Sequence, residues 1–114
     1  MCAAVPTLKA SPEFQRISRQ GKKWVCPAFI MLVLPLDDTA PFRLGLTVSR
    51  KVGNAVVRNR AKRRLREMVR LFIQARAPKG FDVILISKTA AASIDFDKMS
   101  QDFIKGLTHL KVLS

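Results

Sequence analysis

The residues best able to do chemistry in this 114-residue chain are its arginines and lysines. The sequence holds 21 Lys and Arg against 8 Asp and Glu, which gives a formal net charge of +13. Both side chains donate hydrogen bonds to phosphate oxygens, and the guanidinium group does so in bidentate fashion. Such an excess is typical of a protein that binds a polyanion, with nucleic acid the first candidate and an anionic membrane surface the second.

Side chains that would let the protein itself catalyse hydrolysis are sparse. The chain has one histidine, His109, and two cysteines without CxxC spacing, Cys2 and Cys26. No paired carboxylates stand at the spacing of a metal motif, and Asp37-Asp38 has the sequence of a turn. We therefore predict no catalytic residue, no protein-bound metal and a reducing, cytoplasmic setting. These absences also disfavour a protein-only nuclease.

The positive charge is concentrated in residues 50–70, which hold nine basic residues and one acid, Glu67. From residue 80 onward, four acids balance four bases. Charge localised in this way indicates a binding surface. The alternative is a solvated helix face on a protein with another function.

Residues 55–77 are predicted to form a long amphipathic helix that carries most of this charge. Gly53-Asn54, which can take positive φ at little cost, would lead into this helix. The first free N–H groups of the helix would suit a phosphate. Arg64, at the edge of the apolar stripe, is predicted to be structural. The apolar stripe consists of Val57, Ala61, Leu65, Met68, Val69 and Phe72, and the opposite face of Asn59, Arg63, Arg66 and Arg70.

The remaining elements are predicted from caps, turns and apolar runs. A helix over residues 12–20 would begin after Ser11 and stop at Gly21. Residues 24–35 and 42–48 are predicted antiparallel strands of one sheet, the first divided or bent at Pro27. A buried strand over 81–87 would precede a helix capped by Asp95, with an apolar side formed by Phe96, Met99, Phe103, Leu107 and Leu110.

The order α-β-β-(β)-α-β-α predicts an α/β two-layer sandwich. We expect a single domain over residues 1–114, with residues 1–10 as a flexible N-terminal segment. The N-terminus lacks the pattern of a signal peptide, and no apolar run is long enough to span a bilayer. Trp24 is interpreted as core or sheet-rim packing.

The segment VSRKVGNAVVRNRAKRRLRE, residues 48–67, resembles the signature of the bacterial ribonuclease P protein family. The likeness includes Arg58-Asn59-Arg60 and extends more weakly to Phe14, Gly21, the strand at 43–46 and Lys88. It implies a protein subunit of ribonuclease P, the ribonucleoprotein that removes the 5′ leader from precursor tRNA. The partners implied are the catalytic RNA and precursor tRNA, with catalysis and Mg²⁺ belonging mainly to the RNA.

The resemblance also implies sites and a topology. A central cleft between the sheet and the first helix would take the single-stranded leader, and the crossover through the long helix would be left-handed, against the general rule. The implied leader-binding residues are Phe14, Arg50, Lys51 and Lys88. The RNA-binding residues are Arg50, Lys51, Asn54, Arg58, Asn59, Arg60, Lys62, Arg63, Arg66 and Arg70.

Three positions depart from the family pattern. Family members often have an aromatic ring where this chain has Ser18 and Leu32, and a basic residue where it has Ser87. What replaces base stacking is therefore open. From spacing alone Phe14 could be a core residue, and a structural ribosomal protein would share the size, the charge and the basic helix.

Overall fold

The structure is a computed structural model that describes residues 11–37 and 39–112, without the side chains of residues 11–14 and Ser18. Residues 1–10, predicted to be a flexible segment, lie outside the described residues. The elements follow the predicted order with the optional strand present. They are α1 (Ser11–Gln20), β1 (Lys22–Val25), β2 (Phe29–Pro35), β3 (Arg43–Thr47), α2 (Ala55–Arg76), β4 (Phe81–Ser87) and α3 (Phe96–His109), with short 3₁₀ turns at Arg50–Val52 and Thr89–Ala92.

The four strands form one sheet in the order β1-β2-β4-β3. The first predicted run is divided around Pro27, as expected, into β1 and β2, which pair antiparallel. β4 lies between β2 and β3, antiparallel to the former and parallel to the latter. β2 and β3 therefore run antiparallel in one sheet, as predicted, but are not neighbours. α2 connects the parallel strands β3 and β4, and the left hand of this crossover stays a prediction.

α2 begins at a side-chain cap. The Asn54 Oδ1 atom accepts a hydrogen bond of 3.0 Å from the backbone N–H of Val57. Gly53 has φ 150°, whereas Asn54 has φ −71°. Of these two residues, which can both take positive φ, only Gly53 does so, because an N-cap residue needs extended backbone for its side chain to reach the first turn.

α2 and α3 cover one face of the sheet, and the sheet and these helices together form the predicted α/β sandwich. Met31, Val33, Val83 and Leu85 on this face are fully buried, as is Phe103 of α3. The apolar stripe of α2 is buried from Ala61 to Phe72, with Val57 partly buried at its end. α3 begins at Asp95, whose carboxylate accepts a 3.0 Å hydrogen bond from the Lys98 N–H, as predicted.

Two side chains interpreted as structural have packing roles. Arg64 donates a hydrogen bond to the Ile94 carbonyl oxygen, and its guanidinium carbon lies 6.0 Å from the centroid of the Phe96 ring. Trp24 packs against α3 at Gly106, where a Cβ atom would come within 2.5 Å of the indole Cε3 atom. Both predictions are confirmed.

α1 lies on the other face of the sheet and covers only part of it. Ile17 packs against Leu34 of β2 and Ile84 of β4, and these three buried residues form a second, smaller core. The Gly21 N–H ends α1 with a 2.8 Å bond to the Ile17 carbonyl oxygen. Among the described residues, no helix has both the length and the apolar character needed to cross a membrane.

Candidate nucleic-acid interface

Basic residues gather at the edge where the parallel strands β3 and β4 end. Arg50 and Lys51 lie on the 3₁₀ turn after β3, and Lys88 follows β4 directly. The Thr89 hydroxyl donates a 3.5 Å hydrogen bond to the Lys51 carbonyl oxygen and so joins the two chain segments. The strand predicted over residues 42–48 ends at Thr47, and the 3₁₀ turn that follows it carries both cations.

At this same end of the strands, a row of partly exposed side chains crosses the sheet on the face that α1 partly covers. Val25 pairs with Ile30, Ile30 with Ile86, and Ile86 with Thr47, so this row crosses all four strands. Val25 is 49% exposed, and Ile30 and Ile86 are half-buried. Aliphatic surface therefore stays open to solvent beside the lysines.

A groove of about 520 Å³ lies at the Ile30–Ile86 pair of this row, and we call it the sheet groove. Its floor is aliphatic, and its charged groups are the two lysine ammonium groups. An extended chain that alternates anionic and apolar groups fits this combination. The residues that line it are Ile30, Ser49, Lys51, Val52, Ile86, Ser87, Lys88 and Thr89.

Two of the four predicted leader-binding residues line the sheet groove, namely Lys51 and Lys88. Arg50 is exposed on the same turn but does not line it. Phe14 belongs to α1, and its side chain lies outside the described residues. Sequence reasoning missed Ile30 and Ile86, because nothing in the sequence shows that they are opposite each other in the sheet.

The departures from the family pattern have local explanations at two positions. Leu32 is half-buried and packs against the cluster around Ile17. Ser87 is buried, and its hydroxyl donates a 3.1 Å hydrogen bond to the Lys88 carbonyl oxygen. The side chain of Ser18 lies outside the described residues. Leu32 therefore places an aliphatic group, and Ser87 a small polar group, where family members often have an aromatic ring and a basic residue.

The outer face of α2 carries a second cationic surface. A shallow depression of about 510 Å³ is lined by Val56, Asn59, Lys62, Arg63 and Arg66, and we call it the basic depression. Asn59, Arg63 and Arg66 are exposed, as the helical period predicts, and Arg60 is exposed beside them. Four of the predicted RNA-binding residues, Asn59, Lys62, Arg63 and Arg66, thus line one depression on a single helix.

Two other predicted RNA-binding residues, Arg70 and Asn54, form hydrogen bonds within the protein, and a third, Arg58, is half-buried. Arg70 donates hydrogen bonds of 2.7 Å to both carboxylate oxygens of Glu67 and thereby lowers the pKa of that carboxyl group. The side chain of Asn54 caps α2. Arg58 is half-buried, and its Nε atom is buried without a hydrogen-bond partner among the described residues. A phosphate at Arg70 would have to compete with Glu67.

The buried thiol of Cys26 does not line either of these two surfaces. Cys26 is buried, and burial raises the pKa of its thiol. Within the described part of the chain, no three His, Cys, Asp or Glu residues lie close enough to hold a metal ion.

Comparisons with known proteins agree over nearly the whole chain. The sequence model of the family described as Ribonuclease P matches residues 4–111. The ribonuclease P protein component of Gluconacetobacter diazotrophicus is 39% identical over 100 residues, which are 88% of this chain and 86% of the relative. That of Paramagnetospirillum magneticum is 35% identical over 117 residues, covering 99% and 88%.

Solved structures give the same answer. The RNase P protein of Staphylococcus aureus superposes with a TM-score of 0.76 at 28% identity and covers 97% of this chain and 100% of its own. The RNase P protein of Thermotoga maritima has a TM-score of 0.69 at 28% identity, with coverage of 95% and 97%. The chain therefore belongs to the ribonuclease P protein family, the protein components of a ribonucleoprotein that processes tRNA.

Proposed function

We propose that this chain binds the RNA subunit of ribonuclease P and the 5′ leader of precursor tRNA, and thereby promotes endonucleolytic removal of the leader. One observation carries the proposal: two cationic surfaces of different character are joined by a single turn, Arg50–Val52. Lys51 and Val52 on this turn line the sheet groove. α2 begins three residues later and carries the basic depression on its outer face.

The sheet groove suits a single-stranded leader. Lys51 and Lys88 would hold phosphates as point charges, while bases would lie on Ile30 and Ile86. Aromatic stacking contributes about 1 to 3 kcal/mol per base in single-strand binding, and the described lining of this groove contains no ring. We therefore expect leader binding that depends on length and salt, with little base preference.

The basic depression suits the backbone of a structured RNA. Its guanidinium and ammonium groups lie on a helix whose opposite face is packed in the core. Because the helix backbone is held in this way, the side chains can bind phosphates without a change in the backbone. Neutralising phosphates releases counterions, which makes the affinity steeply salt-dependent. The Asn59 amide can donate to a phosphate or read a base edge.

In this proposal the hydrolysis belongs to the RNA subunit and to Mg²⁺ ions that the RNA holds. No carboxylate lines the sheet groove in the described part of the chain, and its two lysines repel a divalent cation. The donors present fit phosphate and do not fit Mg²⁺. The protein's own contribution is to hold the leader and position the RNA.

The test is cleavage of precursor tRNA by a bacterial ribonuclease P RNA at low Mg²⁺, with and without the chain. We expect stimulation by the wild-type protein. Arg63→Ala and Arg66→Ala should each weaken RNA association and reduce the slope of log K against log salt by about one. No stimulation with RNA binding intact would instead favour an RNA-scaffold role such as that of a structural ribosomal protein.

A further inference from the structure

Val56 is the most exposed large hydrophobic residue that the structure describes. Its exposure is 76%, against 49% for Val25 and 40% for Leu71. Val25 belongs to the open row of the sheet, and Leu71 lines an apolar groove between α2 and α3. The residues that line the basic depression together with Val56 are Asn59, Lys62, Arg63 and Arg66, and none of these four is apolar.

The backbone fixes the outward direction of Val56. The Asn54 cap holds the first turn of α2 through the Val57 N–H, and the Arg58 N–H donates a 2.9 Å bond to the Asn54 carbonyl oxygen. Val57 is turned inward and packs against the core and beneath Gly53. Val56, one residue earlier, shares an outer row of the helix with Asn59 and Arg63 at three- and four-residue steps.

The Val56 side chain gains little from packing within the protein, so its methyl groups are accessible to a partner. A β-branched side chain is a weaker helix former than the straight-chain residues that surface positions usually carry, and its two methyl groups are left in water. Neither methyl group can bind a phosphate. Each can pack against the apolar surface of a ribose or a base whose phosphate is held by the neighbouring cations.

We infer that Val56 is an apolar contact for one nucleoside of the ribonuclease P RNA, at the end of the basic depression where α2 begins. The inference rests on the proposed function and adds to it a contact that is independent of salt. Phosphates of the backbone are held further along α2 by Lys62 and Arg63, and Val56 excludes water beneath a sugar or base next to them. Removing its apolarity raises the dissociation constant equally at all salt concentrations.

The experiment measures equilibrium binding of a bacterial ribonuclease P RNA over a salt series. Val56→Thr keeps the branched shape and replaces one methyl group by a hydroxyl, and we expect about fivefold weaker binding with an unchanged salt slope. Val56→Ile restores an apolar surface and binds at least as well as wild type. Leu71→Asn, on the same helix outside the basic depression, keeps the wild-type affinity.

Arg63→Gln separates failure of this inference from failure of the proposed function. If Arg63→Gln lowers the salt slope by about one while Val56→Thr binds like wild type, the Val56 contact is refuted and the proposed function stands. A changed slope for Val56→Thr would also refute it, since an apolar contact releases no counterions. If the wild-type chain does not bind this RNA, both proposals are wrong.

Discussion

The two faces of the sheet differ although its central strands, β2 and β4, are largely apolar on both sides. On the face under α2 and α3, Met31, Val33 and Leu85 are fully buried. On the other face, Ile30 and Ile86 are half-buried, because α1 packs through Ile17 one row away. The difference shows that α2 and α3 cover their face completely, whereas α1 covers only part of the other. The second face keeps accessible aliphatic surface, and Lys51 and Lys88 flank it where it is open.

The sharpest test of this contrast compares two neighbouring residues of β4 that have similar volume and point to opposite faces. Leu85→Ala removes a fully buried side chain and should cost about 3 to 5 kcal/mol of unfolding free energy. Ile86→Ala removes a half-exposed one and should cost about 1 to 2 kcal/mol. Urea denaturation measures both, and equal losses would mean that the second face is as closed as the first.

A second test addresses how tightly the sealed face is packed. Gly106 lies inside α3, and a Cβ atom there would come within 2.5 Å of both Trp24 and Met31. An exposed glycine in a helix gains up to about 1 kcal/mol when replaced by alanine. Here we expect Gly106→Ala to lose about 1 to 3 kcal/mol through overpacking. Thermal unfolding of the wild type and the variant shows whether the melting temperature falls, as expected, or rises. A rise would show that Trp24 does not pack on α3 as described.

Much of the fold could be predicted because local patterns in this chain agree with its tertiary structure. α2 combines a regular apolar stripe with a capping residue at one end and Pro78 beyond the other, so its face and length follow from the sequence. The run of residues 81–87 contains only apolar residues apart from Asp82 and Ser87, and it forms β4 with the predicted bounds. Asp95 caps α3 for the same local reason.

The order of the strands and the shape of the groove could not be predicted in the same way. β4 enters between β2 and β3, and only long-range pairing decides that position. The run FIMLVLP of β2 is nearly all apolar, so it gives no alternation from which the open face could be recognised. Ile30 and Ile86 become a groove floor only through their register. Likewise, the charge of Arg70 is evident in the sequence. Its ion pair with Glu67 depends on the side-chain conformations of both residues, which the sequence does not show.

The central claim is that the open face, with its two lysines, holds the leader. Its most direct test is the rate of precursor tRNA cleavage at low Mg²⁺ by the reconstituted RNA and protein, with substrates whose 5′ leaders are long or progressively truncated. The double variant Lys51→Gln/Lys88→Gln is compared with Lys79→Gln/Lys105→Gln, which removes the same charge from exposed positions away from the groove.

We expect stimulation by the wild-type chain to grow with leader length and then level off once the groove is filled. The Lys79/Lys105 variant should keep this dependence, and the Lys51/Lys88 variant should lose it while retaining RNA binding through α2. Stimulation that is the same for all leader lengths, or that survives unchanged in the Lys51/Lys88 variant, would contradict the account.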